Sequence, residues 1–260
     1  MEMKDQAGAL LGHAAGYVGF RAIEFGLEQG LFESLAAGEA PMTPAQLAAV
    51  RGFDPFYTEV WCRAAFGAGV LEQVDGEEAY RLADHMETLL LDTGSPAFVG
   101  GIFTVMSQQE MFDYFSARLG SGERIWWDEV GPGFIEGVAL TGGTFNNRFV
   151  PAGLEAIPGV KERLAPGSRV LELACGTGYG LERLAGNYPG VELIGLDGDA
   201  FSLETASARL EDAGYADRVE LIESGMEALD ADDEFDVITI NVSMHECRDI
   251  DVVTSACTAL

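Results

Sequence analysis

The sequence predicts an α/β fold with a parallel sheet in its C-terminal part, preceded by an α-helical domain. After Pro166-Gly167, short apolar runs alternate with helical patterns, as in sheets built with crossover helices. Before residue 40, apolar side chains recur at three- and four-residue steps, which is typical of helices packed on one face. Hydrophobic residues make up 48% of the chain, enough to form a packed core. We therefore expect three segments: 1–94, 95–160 and 161–260.

The segment 1–94 carries signals for helices followed by a β-hairpin. Apolar periodicity over residues 7 to 37 predicts one or two helices. Thr43 before Pro44 predicts a capped helix start, and Asp54 predicts a second one. Two apolar runs then flank Asp75-Gly76, a pair typical of tight hairpin turns. Two helices joined by a short turn and followed by a hairpin indicate a winged helix.

The charge of the chain argues against nucleic acid as its partner. Its 43 acidic and 15 basic residues give a formal net charge of −28. A polyanion would be repelled, because nucleic-acid affinity rests on lysine and arginine side chains that neutralise phosphates. The predicted winged helix carries only Arg51, Arg63 and Arg81 over residues 41–82. We therefore expect it to serve dimerisation or packing.

The segment 95–160 is rich in glycine and aromatic residues. Several helical pieces are expected, interrupted at Gly120, at residues 131–133 and at Gly142-Gly143. Its aromatic side chains are either core residues or the wall of a substrate pocket, and the sequence leaves both interpretations open. We describe the segment as a helical linker and candidate substrate lid.

Cysteine usage and apolar runs indicate a reduced, non-membrane environment. Four cysteines form no CxxC pair, and three histidines leave too few ligands for a structural zinc site, so we expect buried thiols and no metal. No apolar run is long enough to span a bilayer. The first twenty residues mix charges and lack a continuous apolar stretch, unlike a signal peptide. A cytoplasmic location is therefore expected.

The segment 161–260 alternates predicted strands with predicted helices. Strands are predicted over 169–174, 191–197, 219–223 and 235–242, and helices over 181–185, 201–213 and 252–260. Connections of this kind join parallel strands.

A glycine-rich turn lies between the first of these strands and the following helix. It runs Glu172-Leu173-Ala174-Cys175-Gly176-Thr177-Gly178-Tyr179-Gly180. Glycines allow close approach of a ligand, and a helix start presents free N–H groups. The dinucleotide fingerprint fails, because its last glycine would fall on Tyr179 or Leu181. A P-loop is also excluded, since no Gly-Lys-Ser/Thr follows.

Asp197 ends the next predicted strand. A carboxylate there can accept hydrogen bonds from both hydroxyls of a ribose bound across the strand ends. An aspartate after a strand is by itself usually a cap or turn residue. The glycine turn one βα unit earlier favours the ribose role.

These motifs together resemble those of class I S-adenosylmethionine methyltransferases, whose core is Rossmann-like. Residues 172–178 resemble the first motif, 193–197 the second and 235–243 the fourth, so that 150–260 follows the family in order and spacing. The region 10–90 is similar to the dimerisation domain of small-molecule O-methyltransferases.

The resemblance implies a homodimeric enzyme that transfers a methyl group from S-adenosyl-L-methionine to a small-molecule acceptor. Glu172 and Asn241 would lie near the methionine part of the cofactor, and Asp197 would hold the ribose. Residues whose backbone or side chain would complete the cofactor site are Ala174, Cys175, Gly176, Gly178, Gly198, Gly225 and Met226.

Three departures from the family pattern stand out. Ala174 replaces the usual first glycine, a mild change if its φ is negative. Gly225 replaces an acid that often contacts the adenine amine. The family usually has seven strands, whereas this chain ends after the fourth, so we expect an incomplete sheet with an exposed edge and either a fragment or a natural short form.

His245 is the histidine nearest the expected site and is our candidate general base for a hydroxyl acceptor. The alternative is a surface or helix-capping histidine, because the catalytic histidine of O-methyltransferases usually lies beyond the fifth strand.

Two other functions stay open. The chain is alternatively a winged-helix regulator that binds S-adenosylmethionine without turnover. A nicotinamide-dependent oxidoreductase is disfavoured by the failed fingerprint.

Overall fold

The computed structural model describes residues 2–74, 78–229 and 235–259, so the predicted turn at Asp75-Gly76 lies outside the described residues. The chain divides into two compact units, Met1–Ser107 and Gln108–Leu260.

The N-terminal unit is helical and carries one small hairpin. Its elements are α1 (Met3–Glu28), α2 (Leu31–Ala36), α3 (Pro44–Arg51), α4 (Pro55–Gly67), β1 (Leu71–Gln73), β2 (Tyr80–Leu82), α5 (Met86–Leu90) and α6 (Gly101–Met106). Strands β1 and β2 pair in antiparallel fashion. The helices and the hairpin predicted from the sequence are thus confirmed.

Two side-chain caps fix where α3 and α4 begin. The Thr43 hydroxyl accepts a hydrogen bond from the Gln46 backbone N–H at 3.3 Å, and the Gln46 side-chain oxygen accepts one from the Thr43 N–H at 2.8 Å. Asp54 accepts from the N–H groups of Phe56 and Tyr57. Each cap satisfies donors that have no partner within the helix, which explains why short sequence signals located both starts.

The C-terminal unit contains a four-stranded parallel sheet. Its elements are α7 (Gln109–Arg118), α8 (Pro132–Arg148), α9 (Val160–Arg163), β3 (Arg169–Leu173), α10 (Tyr179–Asn187), β4 (Glu192–Asp197), α11 (Ala200–Asp212), β5 (Val219–Glu223), β6 (Val237–Ile240) and α12 (Ile250–Ala259). The strand order is β5-β4-β3-β6. All four predicted strands are confirmed, and β6 forms one edge of the sheet in the described part of the chain.

Side chains of the sheet alternate between two apolar layers. Val170 packs with residues of α10 and α11, whereas its neighbour Leu171 packs with Val253 of α12. Residues two apart on a strand share a face. Glu172 therefore points to the same layer as Val170, towards α10, and this places a carboxylate under the start of that helix.

The predicted break at Gly142-Gly143 is wrong, because α8 runs through both residues without interruption. Gly143 is buried, and a Cβ atom built on it would lie 3.0 Å from two ring carbons of Tyr179. The glycine thus permits α8 to pack closely against the first turn of α10. The break predicted at Gly120 follows the end of α7, and Pro132 occupies the first turn of α8, where proline is well tolerated.

The four cysteines are free thiols, and Cys62, Cys175 and Cys247 are buried, as expected. Among the described helices, none combines the length and hydropathy required to cross a bilayer.

Candidate cofactor site

The candidate site lies where the parallel strands end. Because the carboxyl ends of parallel strands meet at one edge of the sheet, this is where open α/β sheets bind ligands. The glycine turn follows β3, Asp197 ends β4, and Asn241 follows β6. Hydrogen bonds join Glu172 to Asn241 and Asp197 to Gly176, so four predicted residues meet in two contacts.

Glu172 is a buried carboxylate with one engaged oxygen. Its Oε1 accepts a hydrogen bond from the Asn241 side-chain amide at 3.1 Å, whereas its Oε2 is buried without a hydrogen-bond partner. Burial is the largest effect on the pKa of Glu172 and raises it, the Asn241 hydrogen bond lowers it, and the charge of Asp197 raises it by a smaller amount. Together these effects raise the pKa of Glu172 to about 7. A carboxylate in such an environment favours a cationic partner.

Gly180 makes room for that carboxylate. A Cβ atom on Gly180 would lie 2.1 Å from Oε1 and 2.5 Å from Oε2 of Glu172. Any side chain at this position would therefore expel the carboxyl group from beneath α10. This role of Gly180 is not among those predicted from the sequence, although a glycine in the first turn of a helix disfavours helix formation and is a signal for close approach.

Asp197 fixes both the glycine turn and its own loop. Its Oδ2 accepts a hydrogen bond from the Gly176 N–H at 2.8 Å, and its Oδ1 accepts one from the Asp199 N–H at 2.9 Å. Burial and, to a smaller extent, the charge of Asp199 raise the pKa of Asp197, whereas hydrogen bonds from backbone N–H groups lower it. The net effect is a raised pKa. Each oxygen retains capacity for a second donor, as the proposed ribose contact requires.

The glycine turn is left-handed at three residues. Its φ angles are +50° at Ala174, +53° at Gly176 and +79° at Gly178. The condition under which alanine would be a mild replacement, a negative φ, is therefore not met at Ala174. The turn has to reverse direction immediately after β3, and Ala174 adopts a left-handed conformation there, at a cost of about 1–2 kcal/mol for a residue with a Cβ atom.

Cys175 contributes its backbone and not its thiol to this turn. Its side chain packs in the apolar layer between the sheet and α10, with Leu181. Burial is the largest cause of the raised pKa of this thiol. The structure therefore places the Cys175 side chain in the core, as expected for a buried thiol.

Gly198 and Gly225 bring two loops together without side chains between them. A Cβ atom on Gly198 would lie 3.7 Å from the Ser224 carbonyl oxygen and 3.8 Å from the Gly225 Cα. The next acid, Glu227, does not replace the one missing at position 225, because its Oε1 accepts from the backbone N–H groups of Arg248 and Asp249. Although partial burial alone would raise the pKa of Glu227, these bonds give a net decrease.

Met226 packs in the second apolar layer, the one that α12 covers. It occupies a short 3-10 turn directly after Gly225. Its backbone is thus positioned beside the Gly198 loop, while the side chain is held from below by the core.

His245 lies in a short 3-10 turn after β6. Its imidazole is 70% exposed, and its Nε2 lies 2.8 Å from Oε1 of Glu246. The structure does not join it to Glu172, Asn241 or Asp197 by any hydrogen bond among the described residues.

The segment 170–260 matches the family described as "Methyltransferase domain". The comparison with curated proteins finds no match.

Solved structures with the same fold cover most of this chain. The mitomycin 7-O-methyltransferase MmcR is 21% identical, with a TM-score of 0.66 over 96% of this chain and 76% of its own. Human N-acetylserotonin methyltransferase in complex with SAM is 18% identical, with a TM-score of 0.65 over 92% of this chain and 72% of its own. A riboflavin-derivative dimethyltransferase (RosA) from Streptomyces davawensis is 21% identical, with a TM-score of 0.54 over 86% of this chain and 68% of its own.

The sheet order, the glycine turn and the two buried carboxylates agree with the family match and with the shared fold. Residues 170–260 therefore match a methyltransferase domain, and the chain, with its N-terminal helical unit, shares its fold with solved methyltransferases.

Proposed function

We propose that this chain transfers the methyl group of S-adenosyl-L-methionine to a small-molecule acceptor. The observation that carries the proposal is the pair of buried carboxylates, Glu172 and Asp197, placed on either side of a glycine turn at the ends of adjacent strands. The three neighbours described above, named for a mitomycin, an N-acetylserotonin and a riboflavin-derivative reaction, support a small-molecule acceptor.

The described residues fit this cofactor. Glu172 presents a buried oxygen without a partner next to Gly180, which suits the positively charged amino group of the methionine part. Asp197 retains acceptor capacity for the ribose hydroxyls. Gly198 and Gly225 leave backbone edges free of side chains for the adenine ring. The bound cofactor supplies an electrophilic methyl group on its sulfonium.

The chain's own contribution is to hold both reactants and to exclude water. Positioning of two reactants can lower a barrier by about 7–11 kcal/mol, so a methyltransferase needs few additional catalytic groups. For a hydroxyl acceptor a general base is also required, and His245 stays our candidate, with Glu246 oriented against its imidazole. Residues of 95–160 stay candidates for the acceptor pocket.

A non-catalytic S-adenosylmethionine-binding regulator is the second candidate function. The absence of an acid at position 225 favours it, because that departure removes a contact to the cofactor. Binding of DNA by such a regulator is disfavoured, since two of the three arginines in residues 41–82 are paired, Arg63 with Glu59 and Arg81 with Glu72.

Calorimetric titration of the full chain tests the cofactor. We expect micromolar binding of S-adenosylmethionine and of S-adenosylhomocysteine, and no comparable binding of NAD. A tritium-labelled methyl donor then separates the candidates: transfer to members of a panel of phenols and amines supports an enzyme, and tight binding without transfer supports a regulator. A folded chain that binds NAD alone contradicts both.

The winged-helix arrangement of the N-terminal unit is proposed to serve homodimerisation. Residues 6–20 contain no Asp, Glu, Lys or Arg in a chain of net charge −28. On this part of α1, Leu10, Leu11, Tyr17 and Val18 are 61–71% exposed. Large exposed side chains along one uncharged stretch of a helix indicate a surface that another protein covers, and a second copy of the same helix is the simplest occupant.

The double variant Leu10→Glu/Leu11→Glu tests this interface. We expect wild-type chain to scatter light as a dimer, at twice the chain mass of 27.8 kDa, and the variant to scatter as a folded monomer because four charges would meet at the interface. Leu119→Glu is the matched control, since Leu119 is 72% exposed but lies in the other unit. A wild-type monomer, or a variant that stays dimeric, contradicts the proposal.

A further inference from the structure

The left-handed turn 174–178 has few regular hydrogen bonds to hold it. The Cys175 N–H donates to the Leu196 carbonyl at 3.1 Å, and the Gly178 N–H donates to the Cys175 carbonyl at the same distance. Asp197 holds the Gly176 N–H. These contacts reach the turn from β4 and from within. The carbonyl of Thr177, near the end of the turn, is held from a third direction.

Arg209 of α11 provides that third contact. Its Nε donates a hydrogen bond to the Thr177 carbonyl at 2.9 Å, and its Nη1 lies 3.3 Å from Glu182 Oε2. The face of the same guanidinium stacks on the Tyr179 ring, with 3.5 Å between Cζ and the ring centroid. One planar group thus engages the turn and two residues of α10, which an ammonium group cannot do.

Close packing brings α11 within reach of the turn. A Cβ atom on Gly178 would lie 3.0 Å from the Ala206 Cβ, and Ala206 precedes Arg209 by one helical turn. The side chain of Arg209 is 26% exposed and accordingly little screened by solvent. The contact is therefore part of the packed body of the unit and not a surface ion pair.

The ring of Tyr179 is also held by α8. A Cβ atom on Gly143 would lie 3.0 Å from its Cδ1 and Cε1. A methyl group at position 143 would displace either α8 or the ring. The stack thus links three elements, α8, α10 and α11, at the residue that directly follows the turn.

We infer that Arg209 and Tyr179 are positioning residues that hold the glycine turn in its cofactor-binding conformation. This role rests on the proposed function, since the turn is the proposed cofactor site. Neither side chain needs to touch the cofactor. Their effect is to keep the turn from opening, so that less binding energy is spent on ordering it.

Arg209→Lys tests the role, with Arg218→Lys as a matched control. Like Arg209, Arg218 donates to backbone carbonyl oxygen and lies over a tyrosine ring. Its acceptors are the carbonyls of Ala185 and Tyr188, at the opposite end of α10. Both substitutions keep the positive charge and remove the planar guanidinium group. Any difference between them therefore reports on the turn.

Hydrogen exchange of the unliganded chain is the first measurement. We expect the peptide over 174–181 to exchange about tenfold faster in Arg209→Lys than in wild type, because the turn opens more often, and to be unchanged in Arg218→Lys. Tyr179→Phe keeps the ring and should behave as wild type, whereas Tyr179→Ala should behave as Arg209→Lys. Unchanged exchange in Arg209→Lys, or equal acceleration in the control, overturns the inference.

Calorimetry with S-adenosylhomocysteine is the second measurement. We expect Arg209→Lys and Gly143→Ala to weaken binding about tenfold, with the Tyr179→Phe affinity retained. If wild-type chain binds no cofactor, the proposed function fails, while the exchange result still decides whether Arg209 holds the turn. Faster exchange with undiminished affinity would show that the turn is held but not for this ligand, and would overturn the positioning role.

Discussion

Replacement of Asp197 by alanine is expected to weaken cofactor binding about 100-fold or more. The carboxylate holds the turn through the Gly176 N–H and is proposed to accept both ribose hydroxyls, and each hydrogen bond to a charged group contributes about 1.5–3 kcal/mol. Calorimetric affinities of S-adenosylhomocysteine for wild type and variant measure the loss.

An analogue without ribose hydroxyls separates the two contributions of Asp197. Wild type should discriminate strongly between S-adenosylhomocysteine and this analogue, and Asp197→Ala should discriminate little, because the acceptor for the hydroxyls is gone. Asp199→Ala is the control, since this substitution removes an equal charge from the same loop. Asp199 accepts a hydrogen bond from the Ser202 N–H at 2.7 Å and thereby caps α11. Undiminished affinity of a folded Asp197→Ala chain removes Asp197 from the ribose role.

The features that the sequence predicted well depend on neighbours along the chain. Thr43 and Asp54 cap helices through residues two or three positions away, so each cap can be recognised from a few consecutive residues. The four strands of the C-terminal unit are short apolar runs whose partners need not be known for each to be recognised. The glycine turn and Asp197 are likewise marked by local residue types.

The features that the sequence did not reveal depend on packing between distant segments. Gly143 resembles a helix breaker until Tyr179, 36 positions later, is seen to require the space. The positive φ of Ala174 is imposed by the reversal after β3 and contradicts its local preference. Arg209 is the one arginine of α11 and carries no local signal of its role, because only the crossover geometry brings it to Thr177.

Glu172→Gln is expected to stabilise the chain at alkaline pH while it weakens cofactor binding. The pKa of Glu172 is about 7 in the folded chain and near the ordinary 4.5 when unfolded. The folded state therefore binds more protons between these values, and ionisation costs stability as pH rises through the window. This cost amounts to about 3 kcal/mol at about pH 8 and about 1 kcal/mol at about pH 5.

Denaturant unfolding of both chains across this window measures the cost. The free energy of unfolding of the variant should exceed that of wild type by about 2 kcal/mol less at about pH 5 than at about pH 8. The difference between the two chains cancels the contributions of the other carboxylates, which both chains share. Glu192→Gln is the control, because the Glu192 side chain is 67% exposed on the neighbouring strand. A pH-independent difference between Glu172→Gln and wild type contradicts an ionisation near pH 7.

Cofactor affinity should show the opposite trend in wild type. Above the pKa of Glu172 its anionic carboxylate, with one unpartnered buried oxygen, favours the cationic amino group, so affinity for S-adenosylhomocysteine should rise about tenfold from about pH 6 to about pH 8. Glu172→Gln should bind more weakly at the upper pH and lose this dependence. If Glu172→Gln is more stable than wild type but binds S-adenosylhomocysteine equally well, Glu172 does not bind the amino group. Its role would then lie in the structure of the strand ends.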